Sequence, residues 1–235
     1  MSVTQFSCEV FGPITSGTVD DFELTFARRS LTRLKQRLGP HGLLDLFRPD
    51  IESSDQYWDE TVAKSKGKLR PAEVSVIIRG ISAPVFLKWA KSASGPAILG
   101  GHPEHYQSTL EKVGEENKHT VVETLGSHIS YFTISNHGSQ SPTDRVSGRD
   151  TSYPYTMVGR GYTKSGVNNG EILHQFRDHE DGQGFDAKLA IWFPAAVEDE
   201  LLETHRQHLA VEFRNFARAA REDLLKKPIP AGNHV

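Results

Sequence analysis

The residues best suited to chemistry here are histidines and glutamates that lie far apart in the chain and reach shared faces through periodicity. In HLAVEF (208–213), His208 and Glu212 are four apart, so on a helix their side chains are neighbours. Imidazole nitrogen and carboxylate oxygen are both zinc ligands. In VVETLG (121–126), strand alternation gives Glu123 the same face as Val121 and Leu125. GGHPEHY (100–106) carries His102 and His105 behind two glycines that permit a sharp turn. One of these two histidines with Glu123, His208 and Glu212 makes a set of two imidazoles and two carboxylates from three segments. Such nitrogen and oxygen donors suit a catalytic zinc with open coordination, and ligand type equally admits iron or manganese. In EILHQFRD (171–178), Ile172, His174 and Phe176 share a face, which makes His174 the first candidate for proton transfer, with Tyr162 and His128 behind it.

Each residue also has a structural reading. His208 and Glu212 read equally as a pair on a partly wet helix face. Glu123 points to solvent if Thr120, Val122 and Thr124 form the inner face. His174 can be a hydrogen-bonded core histidine, and Tyr162 a packing aromatic. His102 and His105 reach the same point, and the spacing does not choose between them.

These residues need a scaffold, and its centre is the stretch Val197 to Lys227. It holds no internal Pro or Gly, starts with Glu198, Asp199 and Glu200, and ends on two lysines, an arrangement that suits the helix dipole. Leu201, Leu202, Leu209, Phe213, Phe216 and Ala220 form its apolar stripe, with His205 and Glu212 inside the stripe and His208 at its border. Strands are expected at 73–80, 119–126, 127–135, 156–164, 171–178 and 185–193. Asn169-Gly170 reads as a hairpin turn, and 85–92 as a short helix. A helix is expected from Asp20 or Asp21 to Leu38, ended by Gly39-Pro40, with a shorter one over Tyr57–Ala63. Residues 136–152 form a long polar loop of the kind that serves as a lid or binding segment. The pattern is α+β: a curved antiparallel sheet gripping a long C-terminal helix over a cavity, in a domain over 71–235, after a helical N-terminal extension over 1–70. An α+β sandwich without a cavity is the second choice.

Composition narrows the functions. With 235 residues the chain can bury a real core, and a net charge of −3 gives no footprint for nucleic acid. A single cysteine, Cys8, excludes an intrachain disulfide and any cysteine-based zinc site. No apolar run reaches the roughly 18 residues of a membrane span, and the N-terminus lacks a signal-peptide pattern, so a cytoplasmic protein acting on a small molecule is expected. Leu31, Leu34 and Leu38 are expected to pack on the sheet or on a second subunit of a homodimer.

With these residues assembled, the chain resembles the diacetylphloroglucinol hydrolase and phloretin hydrolase family. HLAVEF is similar to that family's HxxxE on the C-terminal helix, VVETLG to its strand glutamate, and HPEHY (102–106) to its PE-H turn. The resemblance covers roughly residues 71–220. It implies a helix-grip, Bet v 1-like fold and a zinc held by His105 (with His102 as runner-up), Glu123, His208 and Glu212. It also implies hydrolysis of a carbon–carbon bond between an acyl group and a phenolic ring or within a 1,3-diketone. The family's aromatic-rich segment before the turn is reduced here to Trp89 and GPAILGG (95–101), so the resemblance does not extend to substrate identity. The rival reading is a metal-free helix-grip protein, either a ligand binder or a cyclase or dehydratase using histidine and carboxylate as acid and base.

Overall fold

The computed structural model describes residue 12 and residues 16–93, 95–113, 116–135 and 148–226. Two helices, α1 (Val19–Leu46) and α2 (Arg48–Ser65), precede β1 (Leu69–Arg79). Two short helices follow, α3 (Ala83–Ser92) and α4 (Gly95–Leu99). The chain then runs through β2 (His105–Val113), β3 (Glu116–Leu125), β4 (His128–Ser135), β5 (Tyr155–Thr163), β6 (Asn168–Asp178) and β7 (Gly184–Pro194). The long helix α5 (Asp199–Lys226) closes it. The strands form one seven-stranded antiparallel sheet in the order β1-β7-β6-β5-β4-β3-β2. This curved sheet around a long C-terminal helix, with helices added at the N-terminus, is a helix-grip fold. No described helix is long and apolar enough to cross a membrane.

Two apolar clusters hold the grip. Phe86 of α3, Phe176, Phe185 and Leu189 of the sheet, and Leu209 and Phe213 of α5 build the first. Trp58 of α2, Val121, Leu125 and Phe132 of the sheet, and Leu201 and Leu202 of α5 build the second. Full burial of such a side chain contributes about 1.5–3 kcal/mol. Along α5 the second cluster ends at Leu202 and the first begins at Leu209. His205 and His208 occupy the turn between them, buried where apolar residues would otherwise continue the core.

The N-terminal helices belong to this packing. Trp58 donates from Nε1 to Ser130 Oγ (3.0 Å) and stacks on Phe193. Lys35 of α1 donates from Nζ to the carbonyls of Pro103 and His105, the latter at 2.7 Å. By contrast, Leu34 and Leu38 are exposed, and only Leu31 is half-buried.

Several sequence expectations are corrected here. Gly39-Pro40 does not end the helical run: Gly39 takes a left-handed φ of 65°, which glycine adopts without strain, and the helix resumes beyond this kink. The expected short helix at Tyr57–Ala63 is the second half of α2, whose Pro49 sits in the first turn, where a missing N–H costs nothing. Asn169-Gly170 is not a hairpin turn but lies inside β6, Gly170 facing Gly161 across the pair. The turn comes earlier, closed by Thr163 and Val167 with Gly166 at φ 86°. β2 starts at His105, so that residue stands on a strand, not a loop. The expected lid over 136–152 falls largely on residues 136–147, which lie outside the described residues, as does Cys8.

Candidate functional site

The inner face of β3 follows directly from its register. Glu123 faces His105 on β2 and Ser130 on β4, while Val121 faces Phe132, so all of these point toward α5. Glu123 is thus the buried carboxylate (7 % exposed) on an otherwise apolar strip. One turn of α5 brings His208 and Glu212 over the same spot, and the β2 edge adds His105, 1 % exposed.

The donor atoms converge. His105 Nε2 lies 3.1 Å from His208 Nε2, 3.1 Å from a Glu123 carboxylate oxygen and 3.5 Å from a Glu212 oxygen. His208 Nε2 is 3.9 Å from Glu123. One atom each from His105, Glu123 and His208 falls within a mutual 4.8 Å. A tetrahedral zinc with bonds of about 2.0–2.1 Å has ligand–ligand edges of about 3.3–3.4 Å, so these separations suit a small divalent cation. His105 Nδ1 donates to the carbonyl of Ile98 at 2.8 Å, which leaves Nε2 of the neutral ring with its lone pair toward the cluster. A backbone carbonyl on the far ring nitrogen is the usual way a metal-binding histidine is oriented.

Charge points the same way. Burial alone would depress His105, but its hydrogen bond to Glu123 and the charges of Glu123 and Glu212 lift it to about 9. Burial raises Glu212 to about 7, with His105 opposing and Glu123 adding. Burial, then His205, His102 and His105, holds His208 far below the usual histidine range. Two buried carboxylates thus share one imidazolium, and His208 stays neutral beside them. A buried polar group left unsatisfied costs roughly 1–3 kcal/mol, more for a charge. A divalent cation would satisfy all four groups together.

His102 stands outside this set. Its ring stacks on His208 (centroids 3.9 Å apart), and its Nδ1 accepts from the Glu104 amide. Burial, then His105 and Lys35, lowers it to about 4.

Beside the cluster lies a cavity of about 120 Å³ between the sheet and α5. That is on the scale of the ~150 Å³ cavity that takes up benzene in an engineered protein core. Its walls are largely apolar, from Val121, Phe132, Ile172 and Leu209 among others, and it reaches Glu123, Glu212 and His208. His174 borders it, as alternation on β6 requires. The amide of Ala190 donates to His174 Nδ1 at 3.2 Å, which places the proton of the neutral ring on Nε2. Burial lowers His174 to about 3, so near neutral pH it is a hydrogen-bond donor and not an imidazolium acid. This changes the role expected for it.

The other two acid–base candidates are elsewhere. Tyr162 pairs with Thr133 between the inward positions Gly161 and Thr163, which turns it to the outer face beside Arg160. His128 stacks on Tyr57 of α2 (3.8 Å) at the end of the sheet. Neither lines the cavity.

Three residues join the site that sequence reasoning did not place there. His119 borders the cavity and pairs with Ser108 Oγ at 2.8 Å; its position two before Val121 on the inward face was legible from alternation. His205, three residues before His208, also borders the cavity; it stood in the helical stripe but was assigned no role. Lys35 reaches the carbonyls around His105 across 70 residues of chain, and nothing in the sequence signals that.

No protein-family model matches this sequence, and no curated protein matches it. Among solved structures, the chain is similar to Ara h 8.0201, at 13% identity and a TM-score of 0.45, covering 66% of this chain and 99% of that one. It is also similar to the Zhui aromatase/cyclase from Streptomyces sp. R1128, at 12% identity and a TM-score of 0.46, covering 67% and 96%.

Proposed function

We propose that this chain is a metal-dependent hydrolase that cleaves the bond between an acyl carbon and a neighbouring carbon, in an acyl-phenol or 1,3-diketone-like substrate. The observation that carries the reading is the convergence of His105, Glu123 and His208, with Glu212 alongside, at the edge of a small apolar cavity. These four residues would hold a zinc, iron or manganese ion. When bound, such an ion supplies Lewis-acid polarisation of a carbonyl and a water of lowered pKa. The four-residue set is also the one implied by the resemblance to the diacetylphloroglucinol and phloretin hydrolases.

The chain's own residues divide the remaining work. Apolar walls from β3, β4 and β6 strip water from an aromatic or enolic group. Nε2–H of His174 donates to an oxygen of that group and holds it in the negative form that a departing carbon needs. In the balanced reaction the oxygen of water joins the acyl carbon, the acyl–carbon bond breaks with its electron pair leaving on the ring or enol carbon, and that carbon takes up a proton. The products are a carboxylic acid and the deacylated compound.

A second reading, a metal-free ligand binder or a cyclase or dehydratase, draws on one observation: His174 and His205 line the same cavity as neutral imidazoles outside the cation cluster. One experiment separates the two. Purified protein is incubated with 2,4-dihydroxyacetophenone and with acetylacetone, and acetate release is followed before and after chelation and with Glu123→Gln. Metal-dependent acetate release that Glu123→Gln abolishes supports the hydrolase. Binding without acetate release, unchanged by chelation, supports the second reading.

A further inference from the structure

His205 is buried to 5 % exposure, and neither of its ring nitrogens has a hydrogen-bond partner among the described residues. Its ring is fixed by stacking, edge-on to Phe193 (centroids 4.9 Å apart) and nearly parallel to His208 (5.2 Å). Those contacts are satisfied equally by phenylalanine, so packing does not explain an imidazole here. A neutral imidazole offers one donor and one acceptor, and rotation about its broad, two-fold χ2 presents either ring edge to a neighbour. The neighbour that remains is the cavity that His205 borders. On the same cavity His174 has Nδ1 committed to the Ala190 amide and keeps a donor at Nε2.

We propose that His205 and His174 together bind a hydroxyl group of the ligand, the hydroxyl donating to His205 and accepting from His174. A carbonyl or ether oxygen has no hydrogen to give and leaves the His205 acceptor unmet. The ligand class is therefore a phenol or an enol. This deepens the hydrolase reading by assigning the part of the site that selects the substrate, and it rests on the cavity being the ligand site, not on the cation.

The test uses phenol and its methyl ether, anisole, as probes titrated by NMR into the full chain and into His205→Phe. Metal content is measured on the same samples. Wild-type protein is expected to bind phenol at least about tenfold more tightly than anisole, the scale of one buried hydrogen bond. His205→Phe is expected to bring the two within about twofold while anisole binding persists. Nitrogen-15 shifts of His205 in the wild type are expected to move on adding phenol and to stay still with anisole, which keeps the test independent of how the variant folds. Equal affinities in the wild type, an unchanged preference in His205→Phe, or a silent His205 overturns the proposal. Phenol selectivity lost in His205→Phe in a protein that takes up no metal would leave this inference standing and remove the hydrolase. A metal-loaded protein with no phenol selectivity would do the reverse.

Discussion

Replacing Lys35 with methionine separates the role of the N-terminal helices from that of the grip itself. Lys35 Nζ, on α1, donates to the carbonyls of Pro103 and His105, the two residues that bracket the turn carrying a cluster ligand onto β2. Its stem lies over the Tyr106 ring, a contact methionine retains. The ammonium is half-buried, and burial lowers its pKa while the nearby Glu104 opposes that. Hydrogen bonds to a charged group contribute about 1.5–3 kcal/mol each when buried. With solvent screening at this half-exposed position, about 1–2 kcal/mol for the pair is a reasonable scale. If that order is transmitted to His105, the cation site weakens by roughly 5- to 30-fold, near the range seen when partners that orient metal ligands are removed. The assay is zinc competition against a chromophoric chelator, with Lys64→Met as the control, since Lys64 makes only an exposed pair with Glu60. Reduced affinity in Lys35→Met alone is expected. A melting temperature several degrees lower with unchanged zinc affinity would refute the reasoning and make α1 a stabilising strap only.

Three further outcomes are expected. Zinc affinity should rise with pH, because in the cation-free protein His105 holds its proton up to about 9 and Glu212 up to about 7, and the cation displaces both. The His105 proton alone makes the affinity climb about tenfold per pH unit from 7 to 9 and flatten above; a flat profile by chelator competition contradicts this. Ser130→Ala should destabilise by about 1–3 kcal/mol, since Ser130 satisfies Trp58 Nε1 and Ser54 Oγ in a buried site, with metal content unchanged; calorimetry showing no loss would contradict it. Tyr162→Phe should keep turnover within about twofold, as expected for a side chain remote from the cavity; a tenfold loss would return Tyr162 to the chemistry.

The parts of this site legible in the sequence were those fixed by local periodicity. A four-residue step on an unbroken helix put His208 beside Glu212, and strand alternation put Glu123 with Val121 and Leu125, because both periods are properties of the backbone. Whether Glu123 faced inward was not legible, since Thr120 and Val122 are buried as well and both faces of β3 are covered. The choice between His102 and His105 depended on where the turn hands over to β2, an edge strand whose polar, charged residues gave little strand pattern. Asn169-Gly170 misled because a turn-forming pair also fits a position where a side chain would fill the cavity floor: Gly161 and Gly170 both line it. His174 was placed correctly, but its role was not legible, because that depends on the Ala190 amide on the neighbouring strand. Lys35 was invisible for the same reason at longer range.

The central claim is a cation held by His105, Glu123, His208 and Glu212. Elemental analysis of untagged protein, alongside His208→Ala, tests it most directly. The account predicts about one zinc, iron or manganese per chain, lost in His208→Ala while circular dichroism and the thermal transition show the fold retained. Wild-type protein that stays metal-free after incubation with all three ions, or His208→Ala protein that keeps its full metal content, would contradict it.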